Sequence, residues 1–88
     1  MPRNAAKKIV VERVQTGVRI EKSLLKVLKA LAEHKDMTLG GLLEGIVLHA
    51  FEGKCAFGDE NLRRISDLKK IYHLDLTAGD SHRLKEKA

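Results

Sequence analysis

The chain has 88 residues, 43% of them hydrophobic, which fits one small domain with a packed core and excludes a globally disordered chain. A single cysteine, Cys55, excludes an intrachain disulfide and a cysteine-based zinc site, and three aromatic residues, Phe51, Phe57 and Tyr72, leave the core to Leu, Val and Ile. The net charge is +5, and residues 1–20 hold Arg3, Lys7, Lys8, Arg13 and Arg19 against Glu12 alone, a net +4, so the excess suits either a polyanionic partner or a solvated basic tail.

The first eight residues are polar and basic and read as an arm, followed by the strand-prone Ile9-Val10-Val11. From Arg13 the pattern alternates. Val14, Thr16, Val18 and Ile20 fall on one face of an extended chain, and Arg13, Gln15, Gly17 and Arg19 fall on the other. That predicts a half-buried strand with an arginine-bearing outer face.

Leu24, Leu25, Leu28, Leu31 and Ala32 then recur at helical spacing, which predicts a helix from about Ser23 that fades near His34-Lys35-Asp36. Thr38 is placed to cap a second helix. Its stripe is Leu39, Leu42, Leu43, Ile46, Val47, Ala50 and Phe51, with Gly53 to end it. Gly40, Gly41 and Gly45 lie inside this helix, and each weakens it by roughly 1 kcal/mol relative to alanine. Asp59 is placed to cap a third helix carrying Leu62, Ile65, Leu68 and Ile71. The segment Thr77-Ala78-Gly79-Asp80 resembles a capping box and predicts a short fourth helix to about Lys85.

A strand has ladder groups to satisfy, and no second strand is legible in this chain. Two copies resolve the deficit if the strand of one pairs antiparallel with that of the other and the helices cover Val14, Val18 and Ile20. The ordered stretch TGVRIEKSLLKVLKALAEHKDMTLGGLLEGIVLHAF, within residues 14–53, resembles the ribbon-helix-helix DNA-binding fold of the Arc and methionine repressors. The resemblance implies a mostly α fold: one N-terminal strand paired with its dimer mate in an antiparallel ribbon, two core helices and a C-terminal helical extension. The expected divisions are a basic arm over 1–12, a DNA-binding and dimerisation core over 13–53, and the extension over 54–88.

The resemblance also implies site residues. Gln15, Gly17 and Arg19 fall at the groove-facing strand positions, with Arg13 one step further out. Arginine can hold guanine O6 and N7 bidentately, and glutamine can do the same to adenine N6 and N7. Gly17 departs from the family, which carries a side chain there; it allows close backbone approach or leaves specificity to DNA shape. Thr38, Leu39, Gly40 and Gly41 form the helix N-terminus that would hold a phosphate, aided by Arg3, Lys7 and Lys8. The dimer core would comprise Val14, Val18, Ile20, Leu28, Leu31, Leu42, Leu43, Ile46 and Val47, with Gly45 at a close helix contact.

His34, His49, His73 and His82 show no metal-ligand spacing, and no catalytic constellation is legible, so neither an enzyme nor a metal or other cofactor is expected. The expected function is a homodimeric, sequence-specific DNA-binding protein, a transcriptional repressor of the cytoplasm, with double-stranded DNA and a second copy as partners and stacking of dimers on DNA left open. The alternative is an antitoxin whose residues 54–88 bind a protein toxin while the N-terminal part represses the shared promoter. A third reading is a structural helical module without DNA binding, against which Arg13 and Arg19 speak. No run of apolar residues approaches a membrane span or a signal peptide.

Overall fold

Among the described residues the chain forms three helices of equal length, α1 (Lys22–His34), α2 (Leu39–Phe51) and α3 (Asp59–Ile71), followed by a single 3-10 turn at Ala78–Asp80. The structure, a computed structural model, describes residues 8–87. Both α2 and α3 pack on α1.

The N-terminal strand expected from the alternation is absent. Among the described residues there is no strand, and residues 8–20 run as irregular chain with no backbone–backbone hydrogen bond. The ribbon-helix-helix architecture is thereby corrected to a small all-helical protein. The physical reason lies in what alternation reports. It marks which side chains a strand would bury, but a strand also needs a ladder partner and a covering layer, and this chain offers neither to the segment. Val14 is 80% exposed and Val18 71%, and Ile20 is half-buried where the segment reaches α1.

Each helix begins and ends for local reasons. At the start of α1 the Glu21 carboxylate accepts from the Leu24 N–H at 2.8 Å and from the Ser23 hydroxyl at 2.7 Å, so a carboxylate caps the positive end of the helix. Thr38 caps α2 as expected, its Oγ1 accepting from the Gly41 N–H at 3.0 Å. The expected cap of α3 is shifted by one residue. Gly58 holds the cap position without a side-chain bond, and Asp59 instead opens the first turn beside Glu60, where both carboxylates complement the helix dipole.

All three helices end in the same way, with one left-handed residue and a pair of bonds back to the last turn. Asp36 (φ 55°), Gly53 (φ 69°) and His73 (φ 57°) are the turning residues. Met37, Lys54 and Leu74 then donate to the carbonyls of Ala32, His49 and Lys69, each at 2.9 Å, closing a Schellman motif. The third of these turns brings Leu74 back onto the core, where it is buried.

The fully buried residues of the core are aliphatic. Leu31, only 2% exposed, joins Ala32 and Leu42, and Leu28, Ile46, Phe57, Ile65 and Leu68 pack around them. Val27 is buried on the same face of α1. Of the residues expected in the dimer core, Leu28, Leu31, Leu42 and Ile46 stand in this core and Leu43 is half-buried, whereas Val14, Val18 and Val47 are exposed in the single chain. The third helix contributes Ile65 and Leu68, while Leu62 and Ile71 at the ends of its stripe stay largely in solvent.

The fourth helix is also corrected. Its capping residues are in place, with the Thr77 N–H donating to the Asp80 carboxylate at 2.9 Å, but the turn closes at Asp80. His82 adopts φ 66°, which no right-handed helix accommodates, so residues 82–87 continue as irregular chain. The radius of gyration, 14.9 Å, exceeds the roughly 12 Å of a compact domain of this length. Among the described residues, segments 8–20 and 82–87 run as irregular chain outside the three helices.

Candidate nucleic-acid interface

The polar side chains of residues 8–20 form the exposed basic element. Lys8, Arg13, Gln15 and Arg19 all lie in solvent, and a Cβ on Gly17 would meet nothing within 4 Å. Gly17 is therefore free of steric demand in the chain itself. Arg3 and Lys7 lie outside the described residues.

Neither arginine is unpartnered. Arg13 donates through Nε to Glu44 Oε2 at 2.8 Å and through Nη2 to Glu44 Oε1 at 2.9 Å. Arg19 makes the same two-pronged contact with Glu86, through Nε to Oε1 at 3.0 Å and through Nη2 to Oε2. Glu44 is on α2, and Glu86 belongs to the segment that follows the 3-10 turn. The Arg13 hydrogen bonds hold the Glu44 carboxyl below the ordinary glutamate range, and those of Arg19 do the same for Glu86. The guanidinium groups are pushed up in turn by the same bonds.

At the N-terminus of α2, Gly40 and Gly41 have different roles. A Cβ on Gly41 would stand 3.1 Å from Thr38 Oγ1, so glycine here serves the cap by letting the hydroxyl approach the backbone. A Cβ on Gly40 would meet nothing within 4 Å, and the residue is exposed, which leaves the backbone of this turn open to an anion. Leu39 is half-buried. Gly45 has no neighbour within 4 Å of a Cβ position in the single chain; its carbonyl lies 2.7 Å from His49 Nδ1. The structure thus links Arg13 to α2 through Glu44, and places Arg19 against the C-terminal segment instead.

Sequence reasoning missed the two carboxylates. A signal was present for each. Glu44 is the single acidic residue of α2, whose one other polar side chain is His49, and Glu86 is the single acidic residue of the basic run Ser81–Lys87. Pairings across 31 and 67 positions carry no local pattern, so only the folded chain joins them.

No group of three or more His, Cys, Asp or Glu among the described residues is arranged to hold a metal ion. Cys55 is exposed, its thiol directed to the Phe57 carbonyl. No helix among the described residues is long and apolar enough to cross a membrane. No protein-family model matches the chain, and no curated protein or solved structure does so at a significant level.

Proposed function

We propose that this protein binds double-stranded DNA as a homodimer and represses transcription in the cytoplasm. The observation that carries the reading is the placement of charge. Of a net +5, residues 1–20 contribute +4, and the described part of that segment is exposed over nearly its whole length. Such a segment neutralises phosphates and releases their counterions, which supplies sequence-independent affinity. Arg13, Gln15 and Arg19 add side chains able to read base edges, and the open turn at Thr38 to Gly41 adds a phosphate contact.

The dimer is supported by α2. Its sequence is apolar nearly all round, yet Leu42 is its one buried residue, and Val47, Leu48 and Phe51 face solvent. A helix of that composition belongs inside two layers of protein. A second copy presenting the same face buries both at once.

The antitoxin alternative would use residues 54–88 as the binding element for a toxin. Ile65 and Leu68 of that segment already pack on α1, which favours DNA binding as the protein's own task over a tail reserved for another protein.

The test is selection of bound duplexes from a random DNA pool, followed by titration of the selected and scrambled duplexes at several salt concentrations. A common half-site with two-fold symmetry is expected, with affinity falling as salt rises. Arg19→Ala should reduce the preference for the selected duplex at least about tenfold, because a two-fold site loses a bidentate base contact twice. Deleting residues 1–8 should weaken both duplexes alike and flatten the salt slope by about 0.9 per lost phosphate contact. Absence of binding to any duplex at low salt overturns the reading.

A further inference from the structure

The two arginines of the basic segment are both occupied, each by a carboxylate from a different part of the chain, and both contacts are bidentate. The edge that each guanidinium presents to its glutamate, Nε with Nη2, is an edge it would present to guanine or to a phosphate. While the carboxylates remain, the described segment 8–20 is left without net positive charge: Arg13 and Arg19 are neutralised, and the charge of Lys8 is offset in the count by that of Glu12. The third ion pair among the described residues, Lys54 Nζ to Glu52 at 3.2 Å, joins neighbours two positions apart and touches nothing of the segment.

Resting on the DNA-binding reading, we infer that Glu44 and Glu86 are internal competitors for DNA: two carboxylate clasps that occupy Arg13 and Arg19 and that a duplex must displace before those arginines engage. The clasps suit weak, exchangeable control, because all four side chains are exposed and the pairs are screened by salt. Their effect is to lower the affinity for any duplex that recruits those arginines, by the free energy of the pairs it displaces. Glu86 has a further consequence. It is the one acid in a run with Arg83, Lys85 and Lys87, so its release from Arg19 returns an uncompensated carboxylate to an otherwise basic segment, which adds to the cost of displacement.

The experiment measures affinity for a random-sequence duplex at low ionic strength using the full chain and the variants Glu86→Gln, Glu44→Gln and Glu33→Gln. Glu33 is an exposed acid of α1 outside these pairs, so its variant makes the same change in net charge without touching a clasp. Glu86→Gln and Glu44→Gln should each tighten binding about two- to fivefold relative to Glu33→Gln, the range expected for an exposed ion pair. The advantage should vanish near 1 M salt, where screening acts within about 3 Å. In an Arg19→Ala background, Glu86→Gln should bind no better than Glu33→Gln, because the competitor then has nothing to hold. Equal tightening by all three variants, or an Glu86→Gln advantage that survives Arg19→Ala, overturns the clasp while leaving DNA binding intact. If the wild type and every variant leave duplex unbound, the DNA-binding reading falls and the clasp falls with it. Thermal unfolding midpoints within a few degrees of the wild type confirm that the variants fold.

Discussion

Helices α1 and α2 have the same length and lie against each other, yet their sequences ask for different surroundings. The first segregates its residues: Val27, Leu31 and Ala32 are buried, while Lys22, Lys26, Lys29 and Glu33 face solvent. One covering layer on its apolar side satisfies it, and α2 and α3 together supply that layer. The second carries one carboxylate and one histidine in thirteen residues and is apolar elsewhere. Packing on α1 covers only the side around Leu42, and Phe51 remains 82% exposed. A helix can therefore be fully formed, well capped and still incompletely buried. The composition of α2 states how much cover it needs, and a single chain provides only part of it.

The comparison is broken most directly in the core. Leu31→Ala should cost about 2–5 kcal/mol, enough to unfold much of a marginally stable small domain, whereas Leu48→Ala on the open side of α2 should change monomer stability by no more than about 0.5 kcal/mol. Urea unfolding of both variants, at a concentration low enough to suppress association, measures the contrast.

Association sharpens it next. At micromolar concentration the wild type should sediment near twice its chain mass of 9.8 kDa. The double variant Leu48→Glu/Phe51→Glu should weaken self-association at least tenfold, about 1.4 kcal/mol, with its helical circular dichroism unchanged. A monomeric wild type would mean that the α2 face serves something other than a second copy.

Smaller effects test how the two helices are held at their ends. Thr38→Ala should destabilise by about 1 kcal/mol by removing the cap of α2. Gly53→Ala, which forces a Cβ into the left-handed turn at the other end of α2, should cost about 1–2 kcal/mol, while His73→Gly at the equivalent turn of α3 should stabilise by less than about 1 kcal/mol, strain relief being offset by the freer unfolded chain.

The smallest expected effect is on pH. Glu21 is held below its ordinary value of 4.5 first by the Ser23 hydroxyl and then by the Leu24 N–H, and Glu44 and Glu86 are held below it by Arg13 and Arg19. A carboxyl with a depressed folded value stabilises the fold in full above 4.5 and loses that contribution as pH falls through the folded value. Thermal midpoints should therefore be level near neutrality and decline below about pH 4.5, and Glu21→Gln should blunt the decline. A midpoint that rises on acidification would contradict the assigned partners.

Much of this architecture was legible locally. The Thr38 cap, the Gly53 stop and the stripes of three helices are short-range features, satisfied within one turn of where they occur, so spacing and turn chemistry determine them. The face of α1 was read less well. Leu24 stood in the expected stripe and is exposed, whereas Val27 stood outside it and is buried, because the layer that α2 and α3 form together decides which side of α1 is covered. Leu74 was invisible for a related reason: it follows a turn and reaches the core only because His73 reverses the chain.

The candidate site divides along the same line. By itself the sequence determined where the charge lies and where three helices run, since these depend on composition and on neighbours a few residues away. Only the tertiary structure decided that residues 8–20 form no strand and that Arg13 and Arg19 are each held by a carboxylate. A ladder partner and an ion-pair partner are both long-range choices. An alternating pattern states what a strand would bury, and an arginine states what it would bind, but the folded chain alone decides whether anything stands within reach.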